Sequence, residues 1–219
     1  MRVSQARVLT LAAIAAGALY LVGALALGAP PAASDRPQKV ALWLREHQDE
    51  VRTYAWTAAL GTLAFAVLAG VIRGLLPAPA RDVFLLGAAA FISETAVQAW
   101  CWGALALHPG SARPASARLV LDIARFWGPL LTGATMTMIG AVTALGFGKR
   151  PLIPHWLTLL GVVAFIEQGI ETITVFGRHG FIAPGGPMNA LLGAALTGLW
   201  LLGLVIWGVR SLTRRPAVA

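Results

Sequence analysis

Apolar runs of about twenty residues alternate along the chain with short polar or Gly/Pro-rich breaks. Six such runs cover about 8–28, 54–76, 83–107, 118–147, 152–176 and 188–209. About 20 apolar residues in a helix rise roughly 30 Å, the thickness of a bilayer's hydrocarbon. A membrane barrel would instead show ~10-residue segments of alternating polarity, and none is present. The pattern predicts an all-α polytopic membrane protein, with residues 1–219 forming a single domain of six transmembrane helices. Gly and Ala recur within the runs and let membrane helices approach closely.

The breaks predict how the helices connect. Leu76-Pro77-Ala78-Pro79-Ala80 and Gly148-Lys149-Arg150-Pro151 are short, so their flanking helices should be antiparallel neighbours. The stretches His108–Ala117 and Gly177–Pro187 are longer and rich in Gly and Pro. The first loop, Ala29–Thr53, begins with prolines and becomes amphipathic around Val40, Leu42, Trp43 and Leu44. A short interfacial helix is expected there, with Trp43 at headgroup level; a solvated loop is the alternative. The first apolar run, Val8 to Leu27, exceeds the ~7–15 residues of a signal peptide's apolar region. It is expected to be a retained first helix.

Composition supports this picture. Of 219 residues, 58% are hydrophobic and 12% charged, against roughly 25% charged in soluble domains. Mean hydropathy is +0.74. The net charge of +8 resides mainly in loops and tails, so no nucleic-acid partner is expected. Lys and Arg collect around the termini and the two short turns, including Arg2, Arg7, Arg73, Arg81, Lys149, Arg150 and Arg210. That bias predicts a multi-pass protein of a bacterial-type plasma membrane with both termini cytoplasmic. The single cysteine, Cys101, leaves no disulfide framework and no cysteine-based zinc site.

Ionisable groups inside the runs are the candidate chemistry, because charge in hydrocarbon is costly and marks function or pairing. There are four acids, Glu94, Asp122, Glu167 and Glu171, and one base, Arg125. Glu167 and Glu171 lie one turn apart on one helical face, with Gln168 between them. Two such acids are expected to share a proton and titrate as a unit. Asp122 and Arg125 are spaced to neutralise each other. Gln98 follows Glu94 by one turn. Rise per residue puts Glu94 near mid-membrane and the other acids in the outer half, so all four are expected to converge on one outer pocket. Trp56, Phe91, Trp102, Phe126, Trp127 and Phe165 would line it, their ring faces able to stabilise a cation; an interfacial aromatic belt with ordinary packing is the alternative. Pro129, in a Gly- and Thr-rich stretch, is expected to kink the fourth helix. No phosphate loop, nucleotide fingerprint or Ser-His-Asp order appears, and no metal or cofactor is expected.

Leu85–Ile92 reads LLGAAAFI and Leu159–Ile166 reads LLGVVAFI, each followed by an acid. Internal duplication and chance in Leu/Gly/Ala-rich helices both remain open. The acid in Ile92-Ser93-Glu94-Thr95, Asp122 in the next helix and the aromatic-rich outer zone together resemble the integral-membrane terpene cyclases of meroterpenoid pathways. Those enzymes protonate an epoxide or olefin on a prenyl chain and guide the carbocation. The last helix, Pro187–Arg210, departs from the fungal members in carrying no acid. The reading implied is a membrane-embedded acid/base enzyme for a lipophilic, isoprenoid-like substrate, cyclising or isomerising it after protonation by a glutamate. Its partners would be that small molecule and membrane lipids. A proton-coupled transporter or channel, and a non-catalytic membrane subunit, are the alternatives.

Overall fold

The computed structural model describes the backbone of residues 2–109 and 112–214, and side chains at 4–109, 112–126 and 131–213. Helix α1 spans Arg2–Leu27, α2 Pro37–Glu46, α3 Gln48–Arg73 and α4 Ala80–Leu107. Then come α5, Pro114–Arg125, and α6, Trp127–Thr143, which a 3₁₀ turn extends through Gly146. Helix α7 covers His155–Glu171 and runs into a 3₁₀ turn, Thr172–Phe176. A π-helical turn, Met188–Gly193, leads into α8, Ala194–Arg214. Among the described residues there is no strand.

Six of these helices close a ring. In the order α1, α3, α4, α6, α7, α8 each packs on the next, and α8 packs back on α1. Leu9, Phe65, Ile72, Phe84, Ile139, Leu157, Trp200 and Leu204 fill its interior. The exterior is also apolar: Leu11, Leu25 and Leu86 are 66%, 72% and 70% exposed. A helix hydrophobic on all sides is made for burial in a bundle on one face and hydrocarbon on the other. Five helical segments, Ser4–Leu27, Gln48–Arg73, Ala80–Leu107, His155–Phe176 and Met188–Thr213, are long and apolar enough to cross a membrane.

Small and hydroxyl side chains set the seams. An ideal Cβ on Gly87 of α4 would stand 2.8 Å from the Ala134 carbonyl and 2.9 Å from the Met138 nitrogen of α6; these backbones meet only because that side chain is missing. The Thr62 hydroxyl of α3 lies 3.1 Å from the Tyr20 hydroxyl of α1 and 3.2 Å from that of Thr95 on α4.

Helices α2 and α5 form a cap at one end of the ring. Both begin with proline as their first residue, after an extended arginine (Arg36, Arg113), the position where a missing N–H is harmless. Val40 and Leu44 of α2, and Ala117, Leu121 and Ala124 of α5, are buried at helical spacing. They pack with Val51, Trp102 and Leu105 at the adjoining ends of α3 and α4.

The fourth predicted span differs from expectation. Residues 118–147 are not one helix: Phe126, at φ −75°, ψ −1°, separates α5 from α6. Arg118, Asp122 and Arg125 give α5 a polar face, so it lies in the cap instead of continuing across. Pro129 accordingly falls in the first turn of α6, where no helical N–H bond is required, rather than at a mid-span kink.

Candidate functional site

A cavity of about 450 Å³ opens between α4 and α5, bounded by Ser93, Glu94, Val97, Gln98 and Cys101 on one side and Asp122, Ile123 and Phe126 on the other. Its size suits a small organic ligand. Val97 and Ile123 are 47% and 53% exposed, so the cavity is a groove on the flank of the bundle. Gln98 is buried and donates from Nε2 to the Ala124 carbonyl at 3.4 Å, joining the groove's two walls. Glu94 reaches in from α4; its Oε2 is buried and has no hydrogen-bond partner among the described residues.

Asp122 lies at the edge of this groove and pairs with Arg118, not with Arg125 as its spacing suggested. Arg118 Nε donates to Asp122 Oδ2 at 2.8 Å and its Nη2 lies 2.6 Å from Oδ1, a two-pronged contact with good geometry. The i, i+4 register on one helical face permits it. Arg118 also donates to the carbonyls of Ala32 (3.1 Å), Asp35 (2.8 Å) and Ala33. Arg125 turns elsewhere, donating to the carbonyls of Pro31 and of Gly185, the latter at 2.9 Å. The two arginines of α5 thus clasp the α1–α2 loop and the turn before α8.

Glu167 and Glu171 lie elsewhere. The Gln168 amide nitrogen donates to Glu167 Oε2 (3.0 Å) and Glu171 Oε2 (2.7 Å), bridging both carboxylates. Thr135 of α6 donates to Gln168 Oε1, and Asn189, in the π turn, donates to Glu171 Oε1. Asn189 Oδ1 accepts from the Gly185 N–H at 3.0 Å. All three α7 residues are buried, and Glu167 Oε1 has no partner among the described residues. Among the described residues the network contains two acids and no base.

The expected convergence of four acids is therefore corrected: there are two sites. Gly87 packs against Ala134 and Met138 of α6, which puts Glu94, two turns along α4, level with the α5–α6 junction. Gln168 meets Thr135, about two turns away from that junction, and neither Glu167 nor Glu171 is among the residues that line the groove. No described hydrogen bond or ion pair joins Glu94 to the Glu167–Glu171 network.

The aromatic residues divide as well. Phe126 lines the groove. Trp56 is exposed. Phe91 packs on Phe65, ring centres 4.6 Å apart, and Trp102 is buried edge-on to Tyr54 at 5.5 Å. Phe165 lies over Gly140 of α6, away from the groove. The side chains of Trp127 and Pro129 lie outside the described residues. Sequence reasoning missed Arg118 and Asn189; Thr135 belongs to the Thr-rich stretch already noted around Pro129. The four-residue spacing of Arg118 and Asp122 was a usable signal; Asn189 offered none, because only the π turn brings it to Glu171. Among the described residues, no group of three or more His, Cys, Asp or Glu could hold a metal ion.

Comparison with known protein families finds no match; no curated protein and no solved structure matches the chain either.

Proposed function

We propose that the protein is a membrane-embedded acid/base enzyme that takes a lipophilic, isoprenoid-like substrate into the α4–α5 groove and protonates it from Glu94. One observation carries this reading: a buried carboxyl oxygen without a partner, in an apolar groove open on the flank of the helices. A substrate could enter there directly from hydrocarbon. Glu94 would deliver a proton to an olefin or epoxide, and the Phe126 ring and the Asp122 carboxylate would face the developing positive charge. Exclusion of water would protect the cation. Cyclisation or isomerisation, ended by loss of a proton to a carboxylate, follows from the same groups.

In this reading the ring makes six crossings. The sixth is α6 with its 3₁₀ extension, residues 127–146, about 30 Å long at 1.5 Å per residue. The cap of α2 and α5 would rest at the extracytoplasmic surface of a bacterial-type plasma membrane, α2 as an interfacial helix, with both termini cytoplasmic.

Purified protein incubated with prenyl epoxides and olefins tests the proposal. Glu94→Gln should lower kcat by about 10²-fold or more, the usual worth of a general acid; undiminished turnover would overturn it. A second reading, proton-coupled transport, is favoured by the buried Glu167–Glu171 pair with no base beside it. It predicts proton flux into liposomes that Glu167→Gln abolishes while Glu94→Gln does not.

A further inference from the structure

Beside the groove lies a second chamber, of about 420 Å³, that shares Asp122 and Phe126 with it. Arg118, Arg125, Arg178 and His179 also line this chamber. Its charges do not balance. Arg118 is met by Asp122. Among the described residues, Arg125 donates to neutral carbonyls, those of Pro31 and Gly185. Arg178 is exposed, and among the described residues no carboxylate pairs with it. Two guanidinium groups therefore lie beside a chamber whose lining carboxylate among the described residues, Asp122, is already bonded to Arg118.

Arg125 is placed by construction. Gly185 has φ +68°, a conformation that disfavours side chains, and a Cβ there would stand 2.6 Å from Arg125 Nε. Asn189 fixes that turn through the Gly185 N–H. A planar, always-charged guanidinium with donors to spare is suited to phosphate oxygens.

We infer that the groove's ligand is a lipid bearing a phosphate or diphosphate headgroup, its chain lying along α4 towards Glu94 and its anionic head in the chamber beside Arg125 and Arg178. The inference rests on the groove being the substrate site. It adds the sign and chemistry of the head, which an apolar groove alone leaves unspecified. The junction at Asp122 and Phe126 is where head and chain meet; Arg118, bonded to Asp122 through two nitrogens, offsets that carboxylate's repulsion of the phosphate.

The test uses the full chain in maltoside micelles, which contain no phosphate, with farnesyl phosphate, farnesol and inorganic phosphate as probes. Farnesyl phosphate should bind at least tenfold tighter than farnesol and protect Cys101 from maleimide. Arg178→Glu should erase that advantage without changing farnesol binding; Arg125→Gln should weaken the phosphate likewise. Equal affinity for phosphate and alcohol, with Cys101 protected by both, would overturn the headgroup inference and leave the groove reading standing. Inorganic phosphate binding as tightly as farnesyl phosphate would mark a site for soluble anions and also overturn it. If neither lipid binds or protects Cys101, the groove reading itself falls.

Discussion

Gly193 shows how a single missing side chain positions an ionisable group. It sits at the end of the π turn, and a Cβ there would land on the Glu171 carboxylate, with Gln168 Nε2 only 3.2 Å away. Asn189 and Gln168 hold that carboxylate from both sides, so it cannot step aside cheaply. Gly193→Ala should lower stability by about 1–3 kcal/mol, the range for overpacking a core, measured by thermal unfolding in detergent. Gly198→Ala, with nothing within 4 Å, should show no loss. The pairing of Glu167 and Glu171 was legible from their spacing alone. Their separation from Glu94 was not, because depth along a helix says nothing about which face meets which neighbour.

Helical elements differ in how far local sequence decides them. Length and apolar content were enough to locate α1, α3, α4, α7 and α8 to within about six residues at each end. The predicted fourth span failed because hydropathy averaged α5 and α6 together, although the polar face of α5 belongs to the cap. At the seam between α4 and α6, Gly87→Ala must push apart two backbones 2.8 Å from the new atom. It should cost about 1–3 kcal/mol, while Gly70→Ala, in open space, should be tolerated within about 0.5 kcal/mol. The start of α2 carries a pH-dependent clasp. Lys39 Nζ donates to Asp35 at 2.8 Å, and the Ala32 N–H donates to it at 2.7 Å. These bonds, Lys39's foremost, hold the Asp35 carboxyl below its ordinary range. A carboxyl lowered on folding contributes fully above its unfolded value, and that contribution is lost as pH falls through its folded one. The Ala32 amide should therefore exchange hydrogen faster only under acid below the ordinary carboxylate range. Asp35→Asn should remove that pH dependence, and an unchanged acid response in the variant would refute the clasp.

At the scale of the molecule, the ring and its cap give the protein two unlike ends. The cap end carries the clasping arginines, the basic chamber and the groove; the other end carries the two short turns. If the ring crosses a membrane as proposed, Asp49 at the start of α3 and Lys149 after α6 lie on opposite sides. Single cysteines at these positions, in a Cys101→Ser background, should react with an impermeant maleimide from opposite faces of sealed vesicles. Labelling of both from one face would refute that topology.

The all-helical class, the number of apolar runs and the one-face spacing of Glu167 and Glu171 were settled by the chain alone, because hydrophobicity and helical period are properties of neighbours in sequence. Which acid meets which partner was decided only by the tertiary structure. Asn189 on Glu171, and Glu94 across the groove from Asp122, depend on seam register and on glycines that let backbones touch. Such contacts join residues distant in sequence, and no local pattern records them.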